Sequence, residues 1–206
     1  MRIITGIARN TPLATIEGDD TRPTSERVKE ALFSMIQFEI EGRKVLDLFA
    51  GSGQLGLEAL SRGASHATFI DNSRAASDTI IANAKRSKLF DKCRISTTDH
   101  AAALKSAAGR ETYDLIFIDP PYASGLVAPS LKLIAEGRLL APKATVICET
   151  PAPHAGKKGH RKDEDASAEI LDTVFGGDEA LAGRFTVKKT SAYGITRITL
   201  LEEKSE

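Results

Sequence analysis

An acid, two prolines and an aromatic ring stand in a row at Asp119-Pro120-Pro121-Tyr122, directly after the apolar run Tyr113 to Ile118. A carboxylate and an outward-pointing carbonyl at such a corner can both accept hydrogen bonds from a planar NH₂ group. They would draw its delocalised lone pair toward nitrogen and favour the positive charge that grows there during attack on an electrophile. The Tyr122 ring can stack on a base that has left its own stack. Prolines lack an N–H and fix φ, so Pro120 and Pro121 end the strand, and Pro120 biases Asp119 toward an extended backbone. The catalytic candidates are therefore Asp119, Pro120, Pro121 and Tyr122.

A second set lies upstream in Asp47-Leu48-Phe49-Ala50-Gly51-Ser52-Gly53-Gln54-Leu55-Gly56. Glycines at 51, 53 and 56 let backbone approach a ligand without a Cβ clash, and the helix that follows offers unpaired N–H groups. Asp71, with Asn72 beside it, ends the next strand, where an acid suits a ribose diol. This pattern alone fits a dinucleotide or S-adenosylmethionine. Asp47 favours the latter, because an acid on the first strand is a poor neighbour for a pyrophosphate and a good one for an ammonium group. Asp99, next to His100, is a helix cap or a further ligand contact.

The elements that must position these groups alternate. A hairpin over residues 2–17 is expected, with its turn at Asn10-Thr11-Pro12, followed by a helix capped by Thr24 or Ser25 that carries Val28, Ala31, Leu32, Met35 and Ile36 on one face. Strands are expected at 45–49, 66–70, 93–97, 113–118 and 144–149, separated by helices, which implies a parallel, doubly wound sheet. Residues 185–190 and 196–201 alternate strictly and read as an antiparallel pair closing that sheet. The domain limits that follow are an N-terminal hairpin and loop over 1–23 and an α/β domain over 24–206. Pro151, Pro153, Gly156 and Gly159 mark 151–180 as a mobile insertion, whose basic run 157–162 could touch phosphate and whose residues 163–175 are expected to form a helix with Ile170, Leu171, Val174 and Phe175 on one face.

Asp-Pro-Pro-Tyr resembles the amine site of amino-group methyltransferases, and D-L-F-A-G-S-G resembles their cofactor loop. Together with D-T-R-P-T-S-E-R-V-K-E-A-L-F (20–33) and G-L-E-A-L-S-R-G (56–63), the chain resembles the bacterial 16S ribosomal RNA guanine-N2 methyltransferases of the RsmD type. The likeness covers roughly 1–150, and Tyr193-Gly194 and the last strands also fit. It implies a Rossmann-like class I methyltransferase sheet with an N-terminal β-hairpin. It implies S-adenosylmethionine as cofactor and rRNA in an assembling small subunit as partner. By the same resemblance Asp47, Gly51 and Gly53 would surround the methionine end, Asp71 and Asn72 would bind the ribose, Asp99 and His100 would lie at the adenine, and Phe49, Ala50 and Ser52 of the loop would also bind the cofactor. Arg22 and Thr24 would face the cofactor or the target base. The strand-two acid of this family is usually Glu and is Asp71 here.

Composition is compatible with one such domain. The 206 residues are 41% hydrophobic and 27% charged, with formal net charge zero, so no overall basic balance argues for nucleic acid. Cys93 and Cys148 read as buried thiols of a reducing cytoplasm, and no Cys/His cluster has metal-ligand spacing. Residues 1–6 hold too short an apolar run for a signal peptide, and no segment is long enough for a membrane span. A cytoplasmic monomer is expected. Three other readings stand beside the main one: an adenine-N6 methyltransferase on DNA or RNA, an NAD-dependent oxidoreductase, and a non-catalytic RNA-binding assembly factor.

Overall fold

The structure is a computed structural model that describes residues 1–16, 26–121, 124–152 and 163–204. Five strands run parallel: β1 (Lys44–Asp47), β2 (His66–Asp71), β3 (Cys93–Thr97), β4 (Tyr113–Ile118) and β5 (Leu140–Pro151). The last two strands, β6 (Phe185–Tyr193) and β7 (Thr196–Glu203), form a hairpin, and β7 pairs antiparallel with both β5 and β6. The order across the seven-stranded sheet is β3-β2-β1-β4-β5-β7-β6. The chain thus starts in the middle at β1, moves out to β3, and returns to β4, which places the topological switch between β1 and β4. Ligands bind outside the carboxyl ends of the strands at such a point.

The central strands are apolar on both faces because helices cover both. Val45, Leu115, Phe117 and Ile147 pack under α1 (Glu26–Met35), α2 (Gln54–Ser61) and α3 (Arg74–Arg86). Their strand neighbours Leu46, Ile116, Ile118 and Val146 pack under α4 (His100–Ala107), α5 (Val127–Glu136), α6 (Asp163–Thr173) and α7 (Glu179–Gly183). Period two along each strand divides the residues between the two cores. Helix α1 stops at Met35, short of Ile40. The turn that follows, closed by Glu39 N–H donating to Ile36 O at 2.8 Å, still buries Ile36 and Ile40.

Residues 1–16 do fold back antiparallel, but through a single bridge, Arg2 with Pro12, and not through two strands. The reason lies in where the backbone donors go. Ile4 and Thr5 N–H donate to the two carboxylate oxygens of Glu58 at 2.7 and 3.0 Å. Ile7 N–H donates to Ser61 O at 2.8 Å and Ala8 N–H to Ser61 Oγ at 3.0 Å. Helix α2 takes the place of a partner strand. Contact is close enough that a Cβ on Gly6, which sits at φ +88°, would lie 1.8 Å from the Ser61 carbonyl oxygen. Glu58 is fully buried and also receives Arg62 Nε at 2.8 Å, with Lys29 Nζ at 3.6 Å. Lys29 in turn donates to Arg2 O at 2.7 Å.

The helix expected within 151–180 is present. Residues 163–173 form α6, and Ile170, Val174 and Phe175 are buried in the second core. Arg197 of β7 clamps α6 through Glu169 at 2.8 Å. Apolar burial and this ion pair hold the segment to the sheet. The basic run 157–162 lies outside the described residues.

Removing the Glu58 carboxylate would strand Lys29 in the core and leave two backbone donors without their acceptor. Breaking one side of a buried pair costs about 3–5 kcal/mol. Glu58→Ala is expected to lower unfolding free energy in urea by about that amount. A loss below about 1 kcal/mol would contradict the hub role of this residue.

Candidate active site

The glycine loop leaves β1 at Asp47 and enters α2 at Gln54. Gly51 and Gly53 both adopt positive φ, +51° and +77°. A Cβ on Gly51 would meet nothing within 4 Å, so this glycine faces open space above the sheet. Gly56 serves packing: a Cβ there would lie 2.3 Å from the Phe69 ring of β2. Gly53 N–H donates to Ala50 O at 2.7 Å within the loop, while Ala50 N–H donates to Ile70 O at 3.0 Å and Leu48 N–H to Phe117 O at 3.1 Å, which ties it to β2 and β4.

Asp71 holds the same loop from the next strand. Its Oδ2 accepts Gly51 N–H at 2.9 Å and its Oδ1 accepts Ser73 N–H at 2.8 Å. Each carboxylate oxygen keeps a further lone pair for a ligand hydroxyl. Asn72, exposed, follows it at the strand end. On the far side of β2, Phe49 and His100 bring their rings within 5.0 Å of each other. Asp99 caps α4, its Oδ1 accepting Ala101 and Ala102 N–H at 2.9 and 3.1 Å, while its Oδ2 lies 3.2 Å from His100 Nδ1. These amide bonds hold the Asp99 carboxyl below the usual carboxylate range.

Strand register aligns the acids. Asp47 stands opposite Phe69 on β2 and Phe117 on β4, so Asp71 and Asp119, each two residues on, share its face. Ile118 stands opposite Cys148, which puts Glu149 of β5 level with Asp119 on that face. Four carboxylates therefore line one edge in the order Asp71, Asp47, Asp119, Glu149. Asp47 is 1% exposed and accepts Gly56 N–H at 2.9 Å. Burial pushes its carboxyl up from the ordinary 3.8 to about 7; the Gly56 bond opposes this, and the charges of Asp119 and Asp71 add to it.

Beyond Asp119 the chain turns through Pro120 and Pro121 into a cavity of about 230 Å³. Asp119, Pro120, Pro121, Glu149, Thr150 and Asp172 line it, so β4, β5 and α6 all contribute. It is smaller than pockets for drug-sized ligands, about 300–1,000 Å³. Tyr122, Arg22 and Thr24 lie outside the described residues.

Several positioning residues were not evident from motif spacing. Asn83 of α3 is fully buried and donates to Ser52 O of the glycine loop at 2.9 Å. The same side chain exchanges two hydrogen bonds with the Ala14 backbone, at 2.8 and 3.0 Å. Its signal in the sequence is a polar residue three places after Ile80 on the apolar face of a helix. Gln54, at the start of α2, is buried with Oε1 unpartnered among the described residues. Cys148 is buried and its thiol is pushed up by desolvation; Cys93, half-buried, is pushed up to about 12 by the same cause. Neither is a reactive thiolate. Among the described residues no group of three His, Cys, Asp or Glu could hold a metal, and no helix is long and apolar enough to cross a membrane.

The cradle fits a cationic nucleoside. It combines an exposed glycine turn, a ribose-type acid at Asp71, a ring pair at Phe49 and His100, and a buried carboxyl at Asp47 that a ligand ammonium would restore to its charged form. Comparison with known proteins agrees. The family described as conserved hypothetical protein 95 matches residues 1–166. The Bacillus subtilis protein YlbH is 34% identical over 205 residues, 99% of this chain and 100% of its own. Ribosomal RNA small subunit methyltransferase D of Escherichia coli is 36% identical over 151 residues, 73% of this chain and 74% of its own. The solved structure of the Escherichia coli protein yhhF superposes with a TM-score of 0.78 at 28% identity, covering 100% of this chain and 99% of the other.

Asp47 binds its proton more tightly in the folded than in the unfolded chain. Its contribution favours folding fully below about 3.8 and is lost as pH rises through about 7. Between about pH 4 and pH 8 the unfolding free energy of the wild-type protein should therefore fall relative to that of Asp47→Asn, by on the order of a few kcal/mol. Two parallel pH courses in urea titrations would contradict the burial of this carboxyl.

Proposed function

The chain belongs to the small-subunit ribosomal RNA methyltransferase D family, and on that premise we propose that it transfers a methyl group to the exocyclic N2 amine of a guanine in 16S rRNA of an assembling small ribosomal subunit. The methyl donor is S-adenosylmethionine. When bound, it supplies an electrophilic carbon on a positive sulfur that leaves as a neutral thioether. The observation that carries the reading is the Asp119 corner, a strand-end carboxylate in one row with Asp47 and Asp71 and opening into a base-sized cavity.

In this reading the Gly51 to Gly53 loop faces the methionine end of the donor and Asp71 holds the ribose, with Asn72 beside Asp71. Phe49, His100 and Asp99 border the adenine, and Asp47 pairs with the ammonium group. Ala50 and Ser52 present backbone. The Asp119 carboxylate and the Pro120 carbonyl each accept one N–H of the guanine amine. Both bonds strengthen as nitrogen loses its conjugation and gains positive charge, so they stabilise the transition state more than the bound base. The N–C bond forms as the S–C bond breaks, the electron pair stays on sulfur, and the amine then loses one proton to Asp119 or water. Pro120 and Pro121 keep the two acceptors at a fixed separation, which is the positioning part of the rate. By the family resemblance Tyr122 stacks on the base with Pro121, and Arg22 and Thr24 serve the cofactor or the target base. The protein acts as a cytoplasmic monomer.

The test is tritiated methyl transfer to small subunits from a strain lacking the gene, followed by nucleoside identification. N2-methylguanosine is the expected product, and methyladenosine instead would refute the reading. Asp119→Ala should abolish transfer while S-adenosylhomocysteine affinity stays within about tenfold, a margin of ~1.4 kcal/mol. Retained turnover in that variant would remove the role given to this carboxylate.

A further inference from the structure

The working edge is acidic: Asp47 and Asp71 end β1 and β2, and Asp119 follows β4. Carboxylates there repel RNA phosphates, and the chain as a whole has no net charge. Attraction for an RNA backbone must come from wherever cations are concentrated. Among the described residues the densest group lies at the opposite, amino end of the sheet. Helix α3 starts beyond β2 and ends before β3, so its last turn sits at that end, together with the single 3-10 turn Phe90–Lys92 that follows it. Residues 85–94 hold Lys85, Arg86, Lys88, Lys92 and Arg94 against one acid, Asp91. Arg86 donates to Pro12 O at 3.3 Å, and Arg94 pairs with Glu111. Lys85, Lys88 and Lys92 are exposed and form no ion pair among the described residues.

Two features set this corner apart from an ordinary solvated helix end. Phe90 is 40% exposed, and Lys85 Nζ lies over its ring at 5.3 Å from the centroid. An aromatic ring among free ammonium groups is the combination that takes unpaired bases and the phosphates between them. Lys88, just past the Ser87 cap, has φ +58°, a left-handed backbone that glycine adopts at least cost. Its N–H donates to Lys85 O at 3.1 Å, and Leu89 N–H donates to Ala84 O at 2.9 Å, which fixes the turn. A cation in the last turn of a helix complements the macrodipole, and this accounts for Lys85 and Arg86. It accounts for neither the exposed ring nor Lys92 beyond the turn. We propose that Lys85, Lys88 and Lys92 bind phosphates of the substrate RNA, with the Phe90 ring stacked on an unpaired base between them. The inference rests on the rRNA reading above and adds an anchor for that RNA away from the reacting base. Helix α3 has 13 residues, so at about 1.5 Å per residue the anchor lies about 20 Å from the donor edge.

The experiment uses the full chain and small subunits from a strain lacking the gene, and measures binding and methyl transfer between about 0.05 and 0.2 M salt. Each phosphate contact contributes about 0.7–0.9 to the slope of log affinity against log salt. The double variant Lys88→Gln, Lys92→Gln removes two charges at exposed positions. It should flatten that slope by about 1.5 and raise KM for subunits at least about tenfold, with kcat and S-adenosylhomocysteine affinity within about twofold of wild type. Phe90→Leu keeps an apolar side chain without the ring; it should weaken subunit binding about tenfold and leave the slope unchanged. The double variant Lys105→Gln, Lys132→Gln, on α4 and α5, should match wild type. An unchanged KM and slope in Lys88→Gln, Lys92→Gln, a loss confined to kcat, or an equal flattening in the α4 and α5 variant overturns this inference, while methylation of the subunits by wild type leaves the rRNA reading standing. Wild-type protein that neither binds nor methylates small subunits overturns both.

Discussion

The Glu58 carboxylate carries the geometry of one whole side of the molecule. A buried charge is tolerated only when its lone pairs are satisfied and its charge is matched. Here two backbone amides from the N-terminal segment, a guanidinium from its own helix and the Lys29 ammonium of α1 do both. Desolvation lowers the Lys29 pKa even so, which shows how dry the surroundings are. Two other segments, the N-terminal one and α1, are thereby fixed to α2, and α2 is the helix whose first turn follows the glycine loop. The donor cradle inherits its rigidity from a salt bridge on the opposite end of the same short helix.

At the working edge the same rule applies with the opposite sign. Asp71, Asp47, Asp119 and Glu149 stand in a row with no cation among the described residues to balance Asp47, whose carboxyl is correspondingly hard to ionise. A donor that carries an ammonium and a sulfonium supplies the missing positive charge. Burial is the main reason that Asp47 resists ionisation, and binding energy is available from pairing its charge with the ammonium. The acceptor base, which arrives neutral and becomes positive at nitrogen, gains from the same field only as the reaction proceeds.

The sheet was largely legible because its signals are local. Cys93–Thr97 and Tyr113–Ile118 begin and end where apolar runs meet turn residues, and the structure has the same limits. Asp47, Gly51, Gly53 and Asp71 came together as their spacing implied, since a βαβ unit leaves little freedom. The N-terminal segment was harder. Its backbone pairs with Glu58 and Ser61, more than 50 residues away in sequence, and no local pattern announces a helix side chain that replaces a strand. Asn83 was hard to read for the same reason: it is a polar residue on the apolar face of a helix, and its meaning depends on what packs against it. Helix α6 was legible too, because Ile170, Leu171, Val174 and Phe175 recur on one helical face.

The Asn83 side chain touches two things at once, the Ala14 backbone of the N-terminal segment and Ser52 of the glycine loop. A single planar amide joins them, so its orientation cannot adjust to one partner without being felt by the other. Any macromolecule that reshapes residues near Ala14 must do work against the donor loop, and by thermodynamic reciprocity a filled donor loop alters the affinity of the N-terminal segment for that macromolecule by the same factor. Such a coupling would run through one side chain and act equally in both directions.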